Sequence, residues 1–92
     1  MIVKLFANLQ QVAGCPRVEV SVGEDATVRD VLDALFAKVP ALREHILEPD
    51  GQTVRPFVSI MVQGRLIRDL QGLDTPVTGV SEIAIFPPVA GG

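Results

Sequence analysis

The stretch that decides the fold is Thr27-Val28-Arg29-Asp30-Val31-Leu32-Asp33-Ala34-Leu35-Phe36-Ala37-Lys38-Val39. Its large apolar residues recur at the spacing of one helical stripe. They are Val28, Val31, Leu32, Leu35, Phe36 and Val39. Thr27 can cap this helix, with Asp30 as the acid of a short capping box, and Pro40 ends it. We therefore predict one amphipathic helix that covers one face of a sheet.

Two apolar segments before the helix predict strands. Residues 2–6 form a short apolar run, and residues 17–22 alternate strictly, with three valines on one face. This alternation is the period of a half-buried strand. Gly14 and Pro16 lie between the two segments and favour a loop. The sequence predicts an opening antiparallel hairpin.

Three further strands are predicted after the helix. Residues 57–62 alternate, Gln63-Gly64 resembles a tight hairpin turn, residues 65–67 suit a short strand, and residues 82–86 form the last strand. Between the helix and these strands, we expect a short helical turn within residues 41–47 and an exposed turn at residues 48–52.

This order of elements predicts an α+β domain with a mixed sheet of four or five strands and one main helix packed on one face. The right-handed crossover rule lets the first and last strands lie side by side and parallel at the centre. This is the β-grasp, or ubiquitin-like, arrangement. We assign residues 1–86 to the domain and residues 87–92 to a flexible carboxyl-terminal tail.

Size and composition exclude several classes of function. The 92 residues fit one domain, and 48% of them are hydrophobic, which is enough to form a core. The net charge is −3 and the cations are scattered, so nucleic acid is not an expected partner. We expect no membrane span and no secretory leader, and hence a cytoplasmic protein. Cys15 has no second cysteine with which to form an internal disulfide.

The tail, Pro87-Pro88-Val89-Ala90-Gly91-Gly92, is the candidate site. Its six residues reach at most about 20 Å, and two glycines can pass through a narrow channel in another protein. A carboxylate at Gly92 is ionised and a poor acylating agent, so another enzyme has to activate it, for example as an acyl-adenylate. The sequence shows no phosphate-binding loop, catalytic triad or metal cluster for this step. The alternative is a frayed terminus without a function.

Strand alternation predicts a second site, for a protein partner. If the apolar residues at positions 3, 5, 83 and 85 face the helix, then Phe6, Ala84 and Phe86 emerge on the opposite face. With Met61 adjacent, the two phenylalanines would form an apolar docking patch. The alternative is that the end of one strand rotates and buries one phenylalanine in the core.

The sequence resembles a known family. Phe86-Pro87-Pro88-Val89-Ala90-Gly91-Gly92 is similar to the carboxyl end of the MoaD proteins, within the MoaD/ThiS group of ubiquitin-like sulfur carriers. Leu5-Phe6-Ala7 and Gly72-Leu73-Asp74-Thr75-Pro76 are also similar to members of this group. The likeness spans essentially the whole chain, and the tail is its most specific part.

The resemblance implies a sulfur carrier that is not itself an enzyme. A ubiquitin-activating-like enzyme, using Mg-ATP, would adenylate Gly92, and a sulfur donor would convert the carboxylate to a thiocarboxylate. The carrier itself would bind no cofactor and no metal. For MoaD, the partner that receives the sulfur is the large subunit of molybdopterin synthase. Phe6 and Phe86 match the positions of a hydrophobic docking surface beside the tail.

The resemblance leaves alternatives open. The segment 48–56 is longer than expected of MoaD and resembles CysO-type carriers, which donate sulfur for cysteine synthesis, and archaeal small modifier proteins. A modifier would join Gly92 to lysines through isopeptide bonds. A plain interaction domain with an inert tail is the remaining hypothesis.

Overall fold

The computed structural model describes residues 1–88. The strands in this range are β1 (Ile2–Leu5), β2 (Arg17–Glu19), β3 (Ser59–Val62), β4 (Arg65–Leu66) and β5 (Glu82–Phe86). The helices are α1 (Asn8–Ala13), α2 (Val28–Lys38) and α3 (Arg43–Ile46). Short 3-10 turns occupy Pro40–Leu42, Ile67–Asp69 and Gly72–Asp74.

The strands form one mixed sheet in the order β2-β1-β5-β3-β4. β1 and β5 are parallel neighbours at its centre, with Val3 opposite Ile83 and Leu5 opposite Ile85. The other neighbours, β1–β2, β3–β5 and β3–β4, are antiparallel. This topology confirms the predicted α+β, ubiquitin-like fold.

Helix α2 forms where the apolar stripe predicts it. The Thr27 backbone N–H donates to the Asp30 carboxylate at 2.9 Å, and this bond is half of the predicted capping box. Five residues of the stripe are buried, namely Val28, Val31, Leu32, Leu35 and Phe36. Pro40 starts a 3-10 turn instead of continuing the helix, as expected of a residue without a backbone N–H.

The core joins the stripe of α2 to one face of the sheet. Val3, Leu5, Ile83 and Ile85 are at most 1% exposed and belong to the same buried cluster as the stripe. The residues that alternate with them in β1 and β5 are half-buried or exposed. These residues lie on the other face of the sheet, which we call the open face.

The connection between β1 and β2 differs from the prediction. It contains helix α1, where we expected a loop, and Leu9 of this helix is completely buried. Leu9, Val12 and Ala13 have the spacing of a helical face, but one turn is too short to stand out from a loop in the sequence. Gly14 ends α1 in the left-handed conformation, with a φ of 78°.

The remaining elements follow the predicted order; β5 has the predicted bounds, and the other strands are shorter than predicted. Gln63 and Gly64 both have positive φ, 51° and 79°, as a two-residue hairpin turn requires. β3 begins at Ser59, two residues later than predicted, because the chain turns at Phe57. Across residues 1–88, the helices are all too short or too polar to cross a membrane.

Candidate functional site

Phe6 and Phe86 form a stacked pair outside the core. Their ring centroids are 4.3 Å apart and the ring planes differ by 14°. Phe6 directly follows β1, and Phe86 is the last residue of β5. Because β1 and β5 are parallel neighbours, the two side chains emerge together on the open face. Both are half-buried, since each ring covers one face of the other. The alternative that one of them turns into the core is wrong.

Met61 lies beside this pair. It is opposite Ala84 in the β3–β5 ladder, while Ser59 is opposite Phe86, so Met61 is the diagonal neighbour of Phe86 on the same face. Met61 and Phe86 line one shallow depression of about 330 Å³. We call Phe6, Phe86 and Met61 the aromatic patch. The structure thus brings the three side chains together on the open face, and their role in docking a partner stays a prediction.

The backbone just after Phe6 is strained. Ala7 has φ 53° and ψ −129°, a combination that favours glycine. The Leu9 N–H donates to the Phe6 carbonyl across this turn at 3.1 Å. Strain of this kind persists where the surroundings fix the conformation, here through the buried Leu9. The turn thus ties the direction of the chain after Phe6 to the core.

The tail starts from the central strand of the sheet. β5 is paired with β1 on one side and with β3 on the other, up to Phe86. Pro87 is buried and Pro88 is exposed. The predicted site residues Val89, Ala90, Gly91 and Gly92 lie outside the described residues.

Phe57 is a surface residue that the sequence reasoning missed. We placed it in β3, but it has a φ of 68° and lies in a turn in which the Val58 N–H donates to the Arg55 carbonyl at 3.2 Å. With Pro56 in the second position and positive φ in the third, this has the form of a type II turn. Arg55-Pro56 is a turn signal that could have been found, whereas a phenylalanine in the third position is unusual.

Phe57 is 82% exposed, more than any other large hydrophobic residue among residues 1–88. It borders an open groove of about 400 Å³ that also includes Leu66, Leu73, Arg55 and Arg68. We call this the Phe57 groove. Because Ser59 is opposite Phe86, Phe57 lies at the end of the sheet where β5 leaves it.

The segment that leads to Phe57 is held by polar contacts. The Arg55 guanidinium donates to the Glu44 carbonyl at 2.6 Å and to the Glu48 carboxylate at 3.3 Å. Asp50 accepts hydrogen bonds from the backbone N–H groups of Gln52 and Thr53 at 2.9 and 3.1 Å. The first of these bonds, together with the one from the Thr53 hydroxyl, lowers the pKa of the Asp50 carboxyl below its ordinary value.

Other reactive side chains do not join either surface. The half-buried Cys15 thiol donates to the carbonyl of Arg17 at 3.2 Å, and His45 lies 3.9 Å from the Glu44 carboxylate. Within the range 1–88, no three His, Cys, Asp or Glu side chains are grouped so that they could hold a metal ion. The site therefore consists of the exit of the tail and the two apolar surfaces beside it.

Comparison with known proteins identifies the family of the chain. Residues 3–92 match the model of the ThiS family. Small archaeal modifier protein 1 of Haloferax volcanii is 39% identical over 89 residues, which are 97% of each chain. Its crystal structure superposes with a TM-score of 0.88 at 39% identity and covers 100% of this chain and 98% of that one.

Two further similar proteins come from other organisms. A putative sulfur carrier protein of Archaeoglobus fulgidus is 41% identical over 69 residues, which are 75% of this chain and 77% of that protein. The crystal structure of CysO from Mycobacterium tuberculosis has a TM-score of 0.81 and 26% identity, and covers 96% of this chain and 98% of that one. The chain therefore belongs to the ThiS family of ubiquitin-like sulfur carriers and modifiers, whose members are not enzymes themselves.

Proposed function

We propose that the carboxyl group of Gly92 is the reactive group of this protein, and that it carries sulfur as a thiocarboxylate. The observation that carries the proposal is the position of β5. This strand is paired on both sides and brings the chain to the surface directly beside the aromatic patch. A partner that docks on the patch therefore receives the tail at a fixed starting point.

The chemistry has to be supplied in two steps by other proteins. The Gly92 carboxylate first attacks the α-phosphate of ATP in an adenylating enzyme, and pyrophosphate leaves. The product is an acyl-adenylate, in which AMP is a good leaving group. A sulfur donor at the oxidation level of sulfide then attacks the carbonyl carbon and displaces AMP, which leaves the thiocarboxylate. The ATP and its Mg²⁺ are bound by the activating enzyme.

The length of the tail limits the distance between the aromatic patch and the active site of the partner. Six residues beyond Phe86 span at most about 20 Å, so the active site that receives Gly92 must lie within this distance of the aromatic patch. Holding the folded domain by the patch raises the local concentration of the terminus in that active site. The domain provides the binding surface, and the reaction takes place in the active site of the partner.

For the sulfur acceptor, we propose the molybdopterin precursor bound to the large subunit of molybdopterin synthase, as the tail suggests. The alternative acceptor is the precursor of cysteine or of another thio-metabolite. The long segment 48–56 and the likeness to CysO over nearly the whole chain support this alternative.

A second function uses the same first step. The relatives that match 97% of this chain are named small archaeal modifier proteins 1 and 3. For such a modifier, a lysine amine in place of the sulfur donor attacks the activated Gly92 carbonyl and displaces the leaving group. An isopeptide bond results, and the protein stays attached to its target.

The test is the intact mass of the protein after incubation with the adenylating enzyme of the same organism, ATP and sulfide. We expect the mass to rise by the difference between one sulfur and one oxygen atom. The chain lacking Gly91 and Gly92 should remain unchanged. If the full chain keeps its mass while the enzyme is active on another carrier, the proposed function is wrong.

A second measurement distinguishes a protein modifier from a sulfur carrier. Cell extracts treated with a reducing agent and blotted for the protein retain high-mass adducts if isopeptide bonds form. A sulfur carrier leaves only the free chain under the same conditions.

A further inference from the structure

Phe57 is held in a strained conformation and gains little burial in return. A bulky side chain at a φ of 68° is rare, because left-handed backbone is strained for residues other than glycine. The ring is 82% exposed, so burial within the described chain does not offset that cost. A glycine or asparagine would fill the same turn position with less strain. This combination indicates a ring whose contacts are made with another molecule.

The Phe57 groove differs in charge from the rest of the protein. The whole chain has a net charge of −3, yet the lining of the groove includes Arg55 and Arg68 and no Asp or Glu. Arg68 is exposed and forms no salt bridge with another residue in the range 1–88. Arg55 is fixed in place by Glu48 and by the Glu44 carbonyl. Because the charge of Arg55 is paired with Glu48, the cation at the rim is Arg68, and such an apolar groove is complementary to an apolar side chain beside a carboxylate.

The position of the groove narrows the choice of partner. Phe57 lies at the end of the sheet where β5 leaves it, since Ser59 is opposite Phe86. An enzyme that holds the terminus in its active site must cover this end, because the tail reaches at most about 20 Å from Phe86. Surface elements of such an enzyme therefore come within reach of the groove.

We propose that the Phe57 groove binds an acidic, apolar segment of the adenylating enzyme, as a second contact beside the aromatic patch. Phe57 would pack against the apolar side chain of that segment, and Arg68 would pair with a carboxylate. The inference rests on the proposed function, because it takes the adenylating enzyme as the partner.

The first test is Phe57→Asn in the adenylation assay, measured as ATP-dependent exchange of pyrophosphate with the purified enzyme. Asparagine tolerates the left-handed conformation, so the fold should be kept, and the melting temperature should not fall. We expect the KM for the carrier to rise about tenfold, as for the loss of an aromatic anchor in an interface, with kcat little changed. An unchanged KM would overturn the inference.

The second test compares two charge reversals. Arg68→Glu should raise KM several-fold, and the effect should shrink at high salt because the rim is exposed to solvent. Lys38→Glu, at the end of α2 on the other face of the sheet and beside the edge strand β2, is the matched control and should change KM little. Equal effects of the two variants would point to a general dependence on net charge and contradict the proposed groove.

The experiments distinguish failure of the proposed function from failure of the proposed role of the Phe57 groove. Normal activation of the wild type with unchanged KM in Phe57→Asn overturns the groove alone. Absence of activation of the wild type overturns the proposed function and the groove together.

Discussion

The aromatic patch and the Phe57 groove lie at the same end of the sheet, but they are held in different ways. Phe6 and Phe86 project from the central strands and stack on each other. Phe57 projects from a turn, and its backbone is strained. The patch thus contributes to the stability of the fold that carries it, whereas Phe57 costs stability. Of two exposed aromatic sites, the one that costs stability gives the clearer indication of an external partner.

The largest effect on stability should come from the aromatic patch. Phe86→Ala removes the stacking contact and the part of the ring that is covered, so we expect the free energy of unfolding to fall by about 2 kcal/mol. A double-mutant cycle with Phe6→Ala should give a coupling of about 1 kcal/mol in urea unfolding. The control cycle pairs Phe86→Ala with Phe57→Ala. Equal coupling in both cycles would contradict the view that only Phe6 and Phe86 support each other.

Phe57 should behave in the opposite way. Phe57→Asn relieves strain at positive φ and loses little burial, so we expect the free energy of unfolding to rise by about 1 kcal/mol. Phe57→Ala is the matched control, because alanine removes the ring but keeps the strained backbone. It should leave stability nearly unchanged. Destabilisation by both variants in urea unfolding would show that the ring packs on its own domain.

The smallest effect concerns the segment that leads to Phe57. The folded-state pKa of Asp50 lies below its ordinary value, because the Gln52 N–H and then the Thr53 hydroxyl donate to the carboxylate. The stabilisation by Asp50 is therefore present above the ordinary pKa and is lost as the pH falls through the lowered value. Asp50→Ala should be slightly less stable than the wild type at neutral pH, and the difference should shrink as the pH falls through the lowered pKa of Asp50.

Thr53→Val serves as the control for this pH dependence, since it removes one of the donors to Asp50. It should reproduce part of the loss at neutral pH. Urea unfolding of both chains is measured at neutral and at acidic pH. A difference between Asp50→Ala and the wild type that does not change with pH would show that the turn is stabilised without the charge of Asp50.

The fold could be predicted from the sequence because its signals are long or repeated. The helical stripe of α2 runs over three turns, and alternation in the central strands separates the core from the open face at every residue. The same alternation predicts that Phe6 and Phe86 meet outside the core. Where only one turn of helix was at stake, as in α1, the pattern was too short to distinguish a helix from a loop.

The Phe57 groove could not be predicted from the alternation of apolar residues, because this pattern extends the strand to Phe57 although the chain turns there. Phe57, Ser59 and Met61 are spaced as one face of a strand, and only the preceding Pro56 indicates a turn. Because Ser59 is opposite Phe86, the residues before Ser59 would have to pair with Pro87 and Pro88. Prolines cannot donate hydrogen bonds to a ladder, so β3 begins after Phe57. That pairing is a long-range contact and leaves no local pattern in the segment 55–58.

The central place of β5 has a mechanical consequence. A partner that draws the tail into a narrow channel pulls along this strand, and the load is shared between β1 on one side and β3 on the other. Extraction would have to shear both ladders at once instead of peeling an edge strand bond by bond. The domain can therefore bear tension on its terminus while its surface is gripped, which an edge strand in the same place would not withstand.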